Sequence, residues 1–158
     1  MLKVVNAFPA NYVIKEVLEG DPALKLDHAT KMKKLLPSNG FYCRHVNDLR
    51  FRSINIGSEK PDQRPALICD DVKNLEIDRY IGPSVPGGSA MMDFKDVQGA
   101  FIRGCFVPEA CDVFMRFEGK KNRHFTVMGN DLSLVKTAFV FEGGATGKCL
   151  YESNNRRK

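Results

Sequence analysis

Phe41-Tyr42-Cys43-Arg44-His45-Val46-Asn47-Asp48-Leu49-Arg50-Phe51 and Leu67-Ile68-Cys69-Asp70-Asp71-Val72-Lys73-Asn74-Leu75-Glu76-Ile77 carry the same pattern of apolar residues. Anchored on Val46 and Val72, the pattern returns at Val97, and Asn122 holds the equivalent place in a fourth segment, a repeat of about 25 residues. Phe41, Leu67, Met92 and Phe117 sit five residues before the anchor, and Cys43, Cys69, Phe94 and Gly119 three before it. Leu49, Leu75, Ala100 and Phe125 sit three after, and Phe51, Ile77, Ile102 and Val127 five after. Ile54, Tyr80, Cys105 and Asn130 sit eight after.

Within each unit apolar and polar residues alternate, as in Leu49-Arg50-Phe51 and Leu75-Glu76-Ile77. Alternation with a period of two is a strand signal rather than a helical one. A strand unit this short cannot bury its apolar face alone. Stacked coils place identical columns above one another at about 4.8 Å, the spacing of paired strands. The expected fold is all-β, a parallel β-helix of four to five coils packed by ladders of like residues. A leucine-rich repeat lacks its leucine and asparagine pattern here, and a propeller blade needs roughly 40 residues per repeat. The coils are expected over 37–142, with a loop and a frayed basic tail over 143–158.

Residues 1–36 do not carry the repeat. Asp21-Pro22 followed by Ala23, Leu24, Leu26, Ala29, Met32, Leu35 and Leu36 reads as a short amphipathic helix, with Asp21 as its N-cap and Pro22 its first residue. Pro37-Ser38-Asn39-Gly40 then turns the chain into the first strand. With that segment as the only expected cap, the open solenoid ends point to missing coils of a longer protein or to self-association.

The chain has 158 residues, enough for one domain with its own core. Its formal charge is +5, but Arg156, Arg157 and Lys158 supply three of those charges, which leaves +2 for the rest. That balance gives no ground for a nucleic-acid partner. No run approaches 18 apolar residues, so no membrane span is expected. The N-terminus lacks the pattern of a signal peptide, so either the chain stays in the cytoplasm or its natural start lies elsewhere. The five cysteines contain no CxxC pair, and neither a metal nor a cofactor is expected. Cys43 and Cys69, one coil apart in one column, read as stacked buried thiols in preference to a disulfide.

Pro37-Ser38-Asn39-Gly40-Phe41-Tyr42-Cys43-Arg44-His45-Val46, Arg64-Pro65-Ala66-Leu67 and Asp70-Asp71-Val72 resemble the C-terminal coils of bacterial proteins in glycoside hydrolase family 28. Asp96–Cys105 and Gly129–Ser133 fit the same region. The family contains polygalacturonase and rhamnogalacturonan hydrolase relatives. The resemblance covers roughly 37–142 and implies a right-handed, pectin lyase-like β-helix facing a pectic polysaccharide; relatives are usually periplasmic or secreted.

The family's inverting chemistry uses Asn-x-Asp, Asp-Asp, Gly-His-Gly and Arg-x-Lys motifs, and an inverting pair of carboxyls stands roughly 6.5–9.5 Å apart. His28, His45 and His124 are not flanked by glycines, and Arg156-Arg157-Lys158 matches Arg-x-Lys only in form. Asp70-Asp71 is read as the polar end of a strand, because neighbouring strand residues point to opposite faces unless the chain bends. His45, Asp71 and Asp96 share a column, so His45 is expected to stack over Asp71. Arg44, Arg50, Arg52 and Arg64 form the densest basic cluster, and Tyr42 and Tyr80 are the candidate sugar platforms. No catalytic residue is expected. The residues expected to face an acidic polysaccharide are Arg44, His45, Arg64, Asp70 and Asp71. The alternative reading is a non-catalytic binding or scaffold module.

Overall fold

The structure, a computed structural model, describes residues 38–57, 61–84 and 86–158. The helix expected over 1–36 lies outside them. The described chain is all-β and climbs through five rungs, or about four turns of a parallel β-helix. The rungs are β1 (Phe41–Asn55); β2 (Leu67–Ile81); β3 (Met92–Lys95) with β4 (Gln98–Arg103); β5 (Cys111–Glu118) with β6 (Arg123–Met128); and β7 (Val135–Glu142) with β8 (Leu150–Ser153). Every pairing is parallel. The first parts of β1 and β2 continue into β3, β5 and β7, which we call the β3 face. Their later parts continue into β4, β6 and β8, the β4 face.

Single residues bend the chain between faces. One column of bends is His45, Asp71 and Asp96, with φ of 56°, 52° and 53°. A second is Asp48, Asn74, Gly99 and His124, and a third is Ser53, Arg79, Gly104, Gly129 and Asn154, all with positive φ. Left-handed backbone costs most L-residues roughly 1–2 kcal/mol. Asp, Asn, His and Gly tolerate it best, and they fill most of these places.

The first three rungs pair as the columns predict: Phe41 with Leu67 and Leu67 with Met92, Cys43 with Cys69, Leu49 with Leu75, and Ile77 with Ile102. The fourth rung corrects the alignment on one face. Met92 pairs with Met115 and Phe94 with Phe117, two residues earlier than the columns place them. The corner absorbs the difference: Lys95 and Gln98 are joined by Asp96-Val97, whereas their partners Glu118 and Arg123 are joined by Gly119-Lys120-Lys121-Asn122. Gly119 is required at this corner. Its φ is +95°, and a Cβ there would collide with the carboxylate of Asp96.

The core lies inside the coils. Phe117 is its hub, with ring centroids 5.7 Å from Phe94, 4.9 Å from Phe125 and 5.2 Å from Phe141. Such aromatic pairs contribute about 0.5–1.5 kcal/mol each beyond the area they bury. Cys43 and Cys69 are both free thiols. The hydrogen bond from the Cys69 thiol lowers the Cys43 pKa, while burial pushes Cys69 well up.

Asparagine side chains close two corners. Val97 N–H donates to Asn122 Oδ1 at 2.9 Å, and Asn122 Nδ2 donates to the Glu118 carbonyl at 2.6 Å. Cys105 N–H donates to Asn130 Oδ1 at 2.9 Å, and Asn130 in turn donates to Asn155 Oδ1 from its backbone and its side chain, at 3.1 and 2.9 Å. Buried backbone donors that the bends leave without a strand partner are satisfied this way.

The tail is not a frayed end. Leu150 pairs with Phe125, a bridge joins Arg156 to Asp131, and Arg156 N–H donates to the Asn130 carbonyl at 2.9 Å. Arg157 grips Glu152 at 2.7 Å and lies 5.7 Å from the Phe139 ring centroid, so its guanidinium covers apolar surface of the last rung. The repeat therefore runs on past residue 142, because Leu150 and Asn155 keep the spacing from Phe125 and Asn130.

Candidate binding face

Outward residues of the β3 face alternate with the core residues just described. Between Met92 and Phe94 stands Asp93; between Met115 and Phe117 stands Arg116. Two residues further along each strand are Arg44, Asp70, Lys95 and Glu118, one per rung. Tyr42, Asp70, Asp93, Lys95, Arg116 and Glu118 line an open cavity of about 250 Å³.

Each acidic group here is held by a cation. Arg44 Nε lies 3.2 Å from Asp70 Oδ2, and the Tyr42 hydroxyl donates to the same oxygen at 3.4 Å. Burial, then the Asp70 charge, raises the Tyr42 pKa. Arg116 binds Asp93 with two parallel hydrogen bonds, Nε to Oδ1 at 3.0 Å and Nη2 to Oδ2. Asp93 is buried, and that burial raises its carboxyl from its ordinary value despite the guanidinium beside it. Lys95 Nζ reaches Glu118 Oε1 at 3.6 Å.

The five residues expected to face a ligand are divided by this geometry. Arg44 and Asp70 meet on the β3 face. His45 stacks over Asp71 at the neighbouring corner, Nδ1 to Oδ2 at 2.8 Å, as their shared column predicts. Arg64 lies in the connection before β2, where it binds Asp62 at 2.6 Å; this hydrogen bond raises its pKa. The basic cluster is not one cluster. Arg50 and Arg52 stand on the β4 face, both against Glu76, at 3.4 and 2.9 Å. Tyr80 is also misplaced as a sugar platform: it is fully buried, and its hydroxyl donates to the Ala66 carbonyl at 2.9 Å.

The bend at Asp71 brings both carboxylates of Asp70-Asp71 to the outside of the coil, which a straight strand forbids. They are held by different partners, Asp70 by Arg44 and Asp71 by the His45 imidazole. His45 also lowers the Asp71 pKa, the reverse of what a general acid requires.

Asp93, Lys95, Arg116 and Glu118 were missed by reading the sequence as core columns. Their signal was present in the alternation Met92-Asp93-Phe94-Lys95 and Met115-Arg116-Phe117-Glu118. Among the described residues no three His, Cys, Asp or Glu side chains converge as a metal site, and no helix is long and apolar enough to cross a membrane. No protein-family model matches the chain, and no curated protein or solved structure matches it.

Proposed function

We propose that the chain is a β-helical wall for an acidic pectic polysaccharide, related in design to the tail coils of family 28 glycoside hydrolases, and that it does not itself cleave the glycosidic bond. The observation that carries this reading is the β3 face: a shallow charged cavity in which every carboxylate already has a cation. Both oxygens of Asp93 are occupied by Arg116, so it is a positioned charge rather than a free acid. Arg44 and Lys95 are half or more exposed, at 57% and 50% of their side-chain surface. Exposed ion pairs are worth only about 0–1 kcal/mol. A galacturonate carboxylate can therefore exchange into them at little cost, with Tyr42 at the edge of the same cavity.

Affinity electrophoresis in polygalacturonate gels tests the binding. Retardation at low salt that fades as salt screens the contacts is expected, with a weaker effect for Arg44→Ala and Lys95→Ala. No retardation at low salt removes the reading. A reducing-sugar assay on polygalacturonate and rhamnogalacturonan should stay at background; robust turnover abolished by Asp70→Asn would place the chemistry in this chain. The scaffold alternative is favoured if the solenoid binds neither polymer.

A further inference from the structure

The β4 face carries a row that this reading does not use. Strand register places Arg50, Glu76, Phe101, Thr126 and Tyr151 on five successive rungs. Flat groups occupy alternate rungs: the guanidinium of Arg50, the ring of Phe101 and the phenol of Tyr151. Between them stand the carboxylate of Glu76 and the hydroxyl of Thr126. The first four line an open cavity of about 450 Å³, and Tyr151 extends the row with 66% of its surface exposed. Arg103 braces one platform, its guanidinium carbon 5.4 Å from the Phe101 ring centroid.

The spacing has a chemical counterpart. Rungs are about 4.8 Å apart, so successive platforms are separated by roughly twice that distance. A β-1,4-linked hexose chain advances by nearly one rung per sugar. Its successive rings are turned by half a rotation, so every second sugar offers the same face. Each carboxylate of this row of pairs holds two guanidinium groups, Arg50 and Arg52 on Glu76, and Arg79 and Arg103 on Asp78 at 3.7 and 3.3 Å. Stacking on flat groups and hydrogen bonding to hydroxyls need no charge on the sugar.

We propose that the β4 face binds a single extended, uncharged β-1,4-linked hexose chain along the solenoid axis, its rings stacked on Phe101 and Tyr151 and its hydroxyls bonded to Glu76 and Thr126. The site is separate from the β3 face and does not depend on the pectic reading.

Calorimetric titration of the full chain with cellohexaose and with mannohexaose tests it. At least one hexaose binds, and more tightly than its trisaccharide, which is too short to reach all three platforms. Phe101→Ala and Tyr151→Ala each weaken that binding by about tenfold, with melting temperature confirming the fold. Absence of binding by both hexaoses overturns the proposal, as does equal affinity in the double variant. Loss on Lys95→Ala alone also overturns it, because that places the ligand on the β3 face. A parallel titration with hexagalacturonate, expected to be indifferent to Tyr151→Ala, reports on the pectic reading by itself.

Discussion

His45 lies one rung from Asp71, its Nδ1 2.8 Å from the Asp71 Oδ2, and both residues hold left-handed backbone, with φ of 56° and 52°. The two side chains meet because the same bend recurs at the same place in successive coils. The hydrogen bond from His45 is the main reason the Asp71 carboxyl titrates below its ordinary value. A carboxyl lowered in the folded state adds stability above its unfolded pKa, and that contribution is lost as pH falls through the folded value. In His45→Ala the Asp71 carboxyl should titrate higher, read by carbon-detected NMR. An unmoved midpoint would show that the imidazole is a bystander.

Asp93 behaves in the opposite sense. Burial raises its carboxyl. Its contribution to stability is therefore fully present below the unfolded carboxylate pKa and declines as pH rises through the raised folded value. The stability of wild type relative to Asp93→Asn should fall with rising pH across that window and level off above it, measured by urea unfolding at a series of pH values. Arg116→Ala should push the carboxyl higher still and destabilise the fold at neutral pH by about 1–3 kcal/mol. This is less than for a fully buried pair, because Arg116 is about a third exposed. A rise in relative stability with pH for wild type over Asp93→Asn would contradict the assignment.

Asn130→Ala removes the acceptor for the Cys105 backbone N–H and the side-chain donor to Asn155. The Asn130 backbone N–H still donates to Asn155, but the Cys105 donor is buried and loses its partner. A cost of about 1–3 kcal/mol is expected in chemical denaturation. Asn130→Asp retains an acceptor for Cys105 and should recover part of the loss, whereas equal losses would point to packing rather than the hydrogen bond.

Phe117→Ala opens a cavity at the meeting point of Phe94, Phe125 and Phe141, and should cost about 3–5 kcal/mol. Phe106 is 40% exposed, and Phe106→Ala should change stability by about 0.5 kcal/mol or less. Thermal melts of the two variants provide the comparison, and similar losses would deny Phe117 its place as the hub.

The fold was legible because inward columns repeat at a spacing that the hydrogen-bond register reproduces over three rungs. The slip at the fourth rung was not. Shifting a strand by two residues leaves every side chain on the same side, so Phe94 above Gly119 and Phe94 above Phe117 are equally consistent with alternation. Only the backbone partners distinguish them. The site depends on that distinction. The slip sets Arg116, not Glu118, beside Asp93, and turns a repulsive neighbour into a bidentate ion pair. The basic cluster failed for a related reason: Arg44 and Arg50 are close in sequence, yet bends at His45 and Asp48 send them to different faces.

The recurring bends also govern how such a chain can lengthen or shorten. Excising one full circuit, from any residue to its counterpart on the adjoining rung, rejoins the backbone in phase, and each inward side chain stays inward. Removing a single residue within a face reverses inside and outside up to the following corner. Length variation in this architecture should therefore come in whole circuits or at the corners, as the two additional residues between Glu118 and Arg123 already illustrate.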